Sequence, residues 1–332
     1  MDFFRRYLLP GFVFQSVVIG GGYATGRELV EFFLPAGPLG GLLGLLVAGL
    51  VFGLVLAAGF EFARLHAAYD YRGFCRALLG RGWVLFELAF LALLLLILSV
   101  VAAAAGEPAQ ANLGVPALSG TLALMAAVAL LAFTGSATIQ RVLSAWSIVL
   151  YAVYLILFGA TFVQSGEAIA AAFAASPVGE GWAESGVRYA GYNLAVMPAV
   201  LFATAHLASR RETLGAGLMA GALAVVPALL FFVALMALYP GIGAEPVPAN
   251  ALMAALQRPW LALVFHVVVF GTLIETGAAL LHAVNERLEQ HLADGRRALP
   301  RLARPAVALG FLLFAVFAGE RFGIVALIAR GY

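Results

Sequence analysis

The sequence predicts an all-α polytopic membrane protein built as an inverted repeat of five plus five spans. Three observations carry that reading. The 332 residues are 64% hydrophobic and 11% charged, with a mean hydropathy of +1.01, whereas a soluble domain carries about 25% charged residues. Apolar runs of about 20 residues, the length a helix needs to cross a bilayer, recur along the whole chain. Two of these runs, placed alike in the two halves, are interrupted by helix-breaking residues.

Taken in order, the runs place spans near 8–33, 40–63, 83–105, 117–134, 142–164, 188–207, 213–239, 259–284 and 305–319. The linkers between them carry the orientation. Arg5 and Arg6 precede the first span. Arg64, Arg72, Arg76 and Arg81 lie between the second and third, and Arg141 follows the fourth. Arg210 and Arg211 follow the sixth, while Arg287, Arg296, Arg297, Arg301 and Arg304 follow the eighth. These fourteen arginines share one side, against Arg188, Arg258 and Arg321 on the other. Basic residues gather on the cytoplasmic face, so a multi-pass protein of the cell (inner) membrane with a cytoplasmic N-terminus is expected. Met1–Arg6 leads into a long apolar run without a small-residue cleavage site, so the first span is expected to remain. After Glu320 the tail "RFGIVALIARGY" has twelve residues, too few to cross about 30 Å as a helix. A tenth span is therefore short or missing in this chain.

The domain division follows from the spans. Residues 1–165 form the first five-span repeat, 166–187 an extracellular linker, and 188–332 the second repeat, incomplete at its C-terminal end. Five spans per half is an odd number, so the second half is inverted relative to the first.

The composition also excludes chemistry. The positive charge is nineteen arginines with no lysine, which removes Schiff-base catalysis and P-loop phosphate binding. The single cysteine, Cys75, rules out an intramolecular disulfide and a cysteine-cluster metal site. No HExxH or GxSxG occurs, and Asp2, Asp70 and Asp294 fall at span ends or in loops. An enzyme is not expected, nor a nucleic-acid partner, a cofactor, or a metal beyond Na+.

The first interrupted span reads "SVVIGGGYATGRELVEFF" from Ser16. Gly20, Gly21, Gly22 and Gly26 favour local unwinding, since glycine has the largest entropy cost in a helix. Unwound backbone at membrane depth survives only where it is buried in protein or lines a cavity, and there its N–H and C=O groups can serve as ligands. A helix resuming near Thr25 would aim a positive dipole at a bound anion. The sixth span, "YAGYNLAVMPAVLFATAH", has Gly191, Tyr192 and Asn193 and then Pro198, which removes a backbone hydrogen bond. Glycine- and proline-kinked spans also permit close packing alone, and for Pro198 that reading is preferred.

"GGGYATGRELVEFF", "YNLAVMPAVLFATAHLASRRE" and "LYPGIGAEPVPANAL" resemble the YkvI family, grouped with the amino-acid permeases of the amino acid–polyamine–organocation superfamily. The resemblance covers nearly the whole chain and implies the LeuT fold, with ten core spans and discontinuous first and sixth spans. It also implies an ion site in which Gly20 to Tyr23 offer carbonyls and the eighth span offers side chains. A lysine on the fifth span, the ion-site substitute in some proton-coupled relatives, is ruled out here.

Ionisable residues inside a span are functional hypotheses that need partners. Arg27 and Glu31 are i, i+4 and can pair, as a gate or a structural element. Glu28 is left to face elsewhere. Glu61 and Glu87, near the arginine-rich side, read as carboxylates paired with loop arginines. Glu275 lies mid-way along the eighth span with Thr272 and Thr276 on the same face, three oxygen-bearing side chains suited to Na+ or a proton. A buried Glu275–Arg27 lock between the repeats is the alternative. His206 and His266 read as packed or interfacial, and Tyr151 and Tyr154 as packing.

These residues predict a secondary active transporter working by alternating access, coupled to H+ or Na+. The substrate is a small amino acid or related zwitterion. Substrate-binding candidates are Gly20, Gly21, Gly22, Tyr23, Thr25, Gly26, Tyr192 and Asn193. Coupling candidates are Glu275, Thr272, Thr276 and Glu28. The surplus of acids equally suits an organic cation such as a choline- or polyamine-like amine. A channel or sensor on the same scaffold is a further alternative, but no pore-lining charge ring is evident. The partners are the small-molecule substrate and the bilayer; the oligomeric state is left open.

Overall fold

The computed structural model describes residues 3–132, 136–175, 177–294 and 303–331, and every regular element among them is helical. Six segments are long and apolar enough to cross a bilayer: Arg27–His66, Tyr71–Gly106, Val149–Ala175, Arg210–Leu238, Pro259–Leu281 and Ala306–Gly331. The fourth predicted span is the shorter apolar helix Ala117–Ala132. The first and sixth do not qualify as continuous helices because each is broken.

The first span runs as Leu9–Val18, a single turn Gly21–Ala24, and Arg27–Phe33. The sixth runs as Trp182–Leu194, then Met197–Val200, then the tight turn Leu201–Thr204. The last helix, Ala303–Gly331, is interrupted at Gly323 (φ 71°), so only a short stretch follows that break. Residues 166–175, read from the sequence as linker, continue the fifth helix past a non-helical Ser165.

Two helices outside the predicted spans have local causes. Tyr71–Leu79 starts where the Asp70 carboxylate accepts a hydrogen bond from the Gly73 N–H at 2.7 Å, satisfying one orphan donor of the first turn. Pro248–Leu256 opens on proline, whose missing N–H costs nothing at that position. The seventh helix, Arg210–Leu235, begins with a reciprocal capping box between Ser209 and Glu212.

Contacts between linkers group them into two ends. At one end the His206 ring nitrogen Nε2 donates to the Arg5 carbonyl at 2.7 Å, and Arg6 Nε lies 3.2 Å from Glu212 Oε1. Glu61 is held by Arg64, one turn on in the same helix and not in a loop, at 2.7 Å, and accepts from the Thr213 hydroxyl at 2.7 Å. At the other end the Gly179 N–H donates to Ala36 (2.9 Å) and Gln164 donates to Ala255 (3.1 Å). These contacts gather Arg5, Arg6, Glu61, His206, Glu212 and Thr213, beside the first, second and sixth spans, at one end, and join Ala36 to Gly179 and Gln164 to Ala255 away from it. Asp2, Arg296, Arg297 and Arg301 lie outside the described residues, as do the side chains of Glu107, Arg141, Arg287 and Arg304.

The core is built on the second and seventh helices, which meet through small residues. A Cβ added to Gly217 would lie 2.3 Å from the Ala57 nitrogen, and one on Gly221 would lie 2.4 Å from that of Gly53. Backbones this close place the broken spans one and six against a rigid pair.

Candidate functional site

The first span breaks twice. Ile19 leaves the helix (ψ 73°) and Gly26 takes a left-handed conformation (φ 79°). Between them the chain makes one turn, held by Ala24 N–H to the Gly20 carbonyl at 2.8 Å and Gly26 N–H to the Tyr23 carbonyl at 2.9 Å. Each of those two carbonyls accepts one bond within the turn and keeps a second lone pair. The carbonyl that reaches the eighth span belongs to Ile19, which accepts from the Thr276 hydroxyl at 3.4 Å. Ile19 lies one residue before the Gly20–Tyr23 carbonyls that the resemblance implied for an ion site. The surroundings of Gly21 and Gly22 lie outside what is described.

On the eighth helix Thr272, Glu275 and Thr276 are all buried. Thr272 donates to the Val268 carbonyl at 2.9 Å, which leaves its oxygen lone pairs available. Glu275 Oε1 is out of solvent and has no hydrogen-bond partner among the described residues. Glu275 thus leaves a buried carboxylate oxygen unmet on the helical face it shares with Thr272.

Arg27 does not pair with Glu275. Its Nη1 donates to the carbonyls of Gly243 (3.1 Å) and Glu245 (3.0 Å), and its Nη2 to Glu31 at 2.5 Å. The proposed lock between the repeats is absent because the arginine reaches outward, to the loop after the seventh span. A second tie joins the same loop to the break: the Ala249 N–H donates to the Thr25 carbonyl at 2.9 Å.

Glu28 turns the opposite way from this pair and is buried. Its Oε2 accepts a hydrogen bond from the Tyr192 hydroxyl, which joins the two broken spans directly. Asn193 is less available than the sequence suggested, since its amide N–H donates to the Tyr189 carbonyl one turn back at 2.9 Å. Tyr23 is fully buried and its hydroxyl has no partner among the described residues. His266 Nε2 lies 2.9 Å from Asn250 Oδ1, tying the eighth helix to Pro248–Leu256.

Sequence reasoning missed Gln15 and Tyr189. Gln15 is 2% exposed, and neither atom of its amide has a partner among the described residues. The signal existed: in "FVFQSVVIG" it is the one amide in an apolar run, a turn ahead of the break. Tyr189 packs its ring against Phe33, centroids 5.1 Å apart, while its hydroxyl stays unmet.

No family model matches the sequence. The uncharacterised membrane protein YkvI of Bacillus subtilis (strain 168) is 26% identical over 283 residues, covering 85% of this chain and 80% of that protein. A Na+-coupled sialic acid symporter, solved substrate-bound in an outward-open state, superposes with a TM-score of 0.65 at 11% identity. That match covers 97% of this chain and 73% of the symporter. The chain is thus similar in sequence to YkvI and has the LeuT-like all-helical fold of that symporter.

Proposed function

We propose that the protein is a secondary active transporter that moves a small amino acid or related zwitterion by alternating access, driven by Na+. The observation that carries this is the meeting of the Ile19 carbonyl and the Thr276 hydroxyl at the first break, with the unmet oxygen of Glu275 one residue earlier on the same helix. Backbone freed from a helix in mid-membrane needs a reason, and a hard cation coordinated by carbonyl, hydroxyl and carboxylate oxygens supplies one. The fold shared with a Na+-coupled symporter supports the ion. The Glu28–Tyr192 contact supports the substrate site, because it places a buried carboxylate between both broken spans, where an ammonium could be received. A cytoplasmic N-terminus follows from the arginine distribution.

One observation favours a second reading of the coupling ion: Glu275 Oε1 is buried without a partner among the described residues, and a carboxyl group closed off from water can carry a proton in place of Na+. The test is thermal unfolding of the purified chain in Na+ and in K+ at equal ionic strength, with glycine, L-alanine, L-serine or choline. Saturation at a hundred times the dissociation constant stabilises by about 2.7 kcal/mol. An amino-acid shift that requires Na+, and is lost in Thr276→Ala, is the expected result. A shift indifferent to Na+ but dependent on pH, and lost in Glu275→Gln, assigns the coupling to a proton. A shift with choline alone replaces the zwitterion by an organic cation, and no shift with any compound removes the amino-acid reading.

A further inference from the structure

The helix Tyr71–Leu79, between the second and third spans, has two unlike faces. On one, Phe74 and Cys75 are buried. Phe74 lies edge-on to Phe62 with ring centroids 5.3 Å apart, and Tyr71 lies 5.2 Å from Phe90. These contacts fasten the helix to the arginine-rich end of the bundle. On another face Arg72 and Arg76 stand one turn apart, at i and i+4.

The chain turns at Gly80 (φ 54°) and resumes as the third helix from Trp83. The turn returns the Trp83 indole to both arginines. Arg72 Cζ lies 5.1 Å and Arg76 Cζ 4.7 Å from its ring centroid. Each guanidinium is attracted to the ring, but two like charges one turn apart repel each other. Other arginines at this end meet acids, Arg6 at Glu212 and Arg64 at Glu61. From Tyr71 to Phe86 the sequence holds three arginines and no acid. Arg76 and Arg81 are exposed, and neither meets a carboxylate among the described residues. Positive charge is gathered here and left for an anion.

The surface beside the charge specifies which anion. Arg81 precedes Leu85 by four residues, and Leu85 and Leu88 share one face of the third span, 74% and 62% exposed. A soluble anion gains nothing from those leucines. A phospholipid has both parts, a phosphate for the guanidinium forks and chains for the leucines. Tryptophan suits this level of the bilayer, where an amphipathic ring meets the headgroups.

We infer that Arg76, steadied on Trp83, and Arg81 bind the phosphate of an anionic phospholipid whose chains lie along Leu85 and Leu88. This needs only that the chain spans a membrane and is independent of what it transports.

The test adds dioleoylphosphatidylglycerol or dioleoylphosphatidylcholine to the purified chain in detergent. It reads the melting temperature and, by native mass spectrometry, the lipid retained. Phosphatidylglycerol is expected to raise the melting temperature and stay bound, and phosphatidylcholine to do neither. In the double variant Arg76→Gln/Arg81→Gln the affinity for phosphatidylglycerol should fall about thirtyfold, about fivefold for each arginine. Its melting temperature without lipid should stay at the wild-type value. The matched control is Arg210→Gln/Arg211→Gln, which removes two exposed arginines elsewhere at the same end. Screened by distance, that pair should change the affinity by no more than about threefold. Equal losses from the two double variants would reduce the effect to a general attraction of positive surface for negative lipid, and overturn the site. Equal retention of phosphatidylcholine would overturn it too. So would glycerol 3-phosphate, a headgroup charge without chains, binding as tightly as the lipid. If the Arg76→Gln/Arg81→Gln variant melts low without lipid, Arg81→Gln alone carries the test at about fivefold, and no loss there ends the proposal.

Discussion

Gly26 shows how one residue shapes the site. At φ 79° it lies in the left-handed region, and a Cβ there would come within 3.2 Å of Phe231 and 3.3 Å of Pro248. A non-glycine residue pays about 1–2 kcal/mol for that conformation alone. Gly26→Ala is therefore expected to destabilise the protein by about 2 kcal/mol and to lower uptake, because the turn from Thr25 to Arg27 sets where Arg27 and Glu28 point. Thermal unfolding and uptake in vesicles, measured together, check it; wild-type values in both would refute the strain. This glycine was legible in the sequence as part of the cluster. The partners of its neighbours were not. Glu28 meets Tyr192 across 164 positions of chain, a pairing set by how two broken helices pack. Arg27 could be paired with Glu31 from their spacing, yet its two bonds to the loop carbonyls depend on a fold that spacing does not describe. Gln15 stood out in the sequence as the one amide of its apolar run, but nothing in that run says what surrounds it in the fold.

At the scale of elements, breaks were legible and small helices were not. Glycine and proline interrupt a helix by local physics, so the first and sixth spans announce themselves. Tyr71–Leu79 and Pro248–Leu256 are too short to register as apolar runs of bilayer length, although the Asp70 cap and Pro248 mark their starts. The packing of spans was half visible. Helices in lipid lack a hydrophobic force between them and rely on close contact of small residues, and the glycines of the second and seventh spans supply it. Gly221 faces the backbone of Gly53, which cannot yield as a flexible side chain would. Gly221→Leu should lower stability by about 3 kcal/mol, the upper end for overpacking. Val226, 48% exposed on the same helix, is the control: Val226→Ala should change stability by no more than about 0.5 kcal/mol. Equal losses for the two substitutions would mean that the contact does not set the helix pair.

At the scale of the molecule, both ends of the bundle are tied. Arg27 holds the loop after the seventh span over one end, while Arg6–Glu212 and His206–Arg5 hold the N-terminal segment against the other. A carrier must release these ties in turn, so each should bias which end opens. The partly exposed Arg6–Glu212 pair contributes about 0–1 kcal/mol, a shift that changes the ratio of two states up to about fivefold, and the buried Arg27 tie has the larger effect. Gln15, 2% exposed and on the N-terminal side of the break, can report the change. Cys75 is the only cysteine in the chain, so Cys75→Ala gives a clean background in which Gln15→Cys is modified by a membrane-impermeant thiol reagent. Adding Arg6→Gln should speed that modification severalfold by loosening the near end. Adding Arg27→Gln should slow it, because the protein then spends more time open at the far end. Opposite effects from the two substitutions are what a pair of alternating latches requires. If both speed labelling equally, the ties only tighten the bundle as a whole, and the two ends do not exchange.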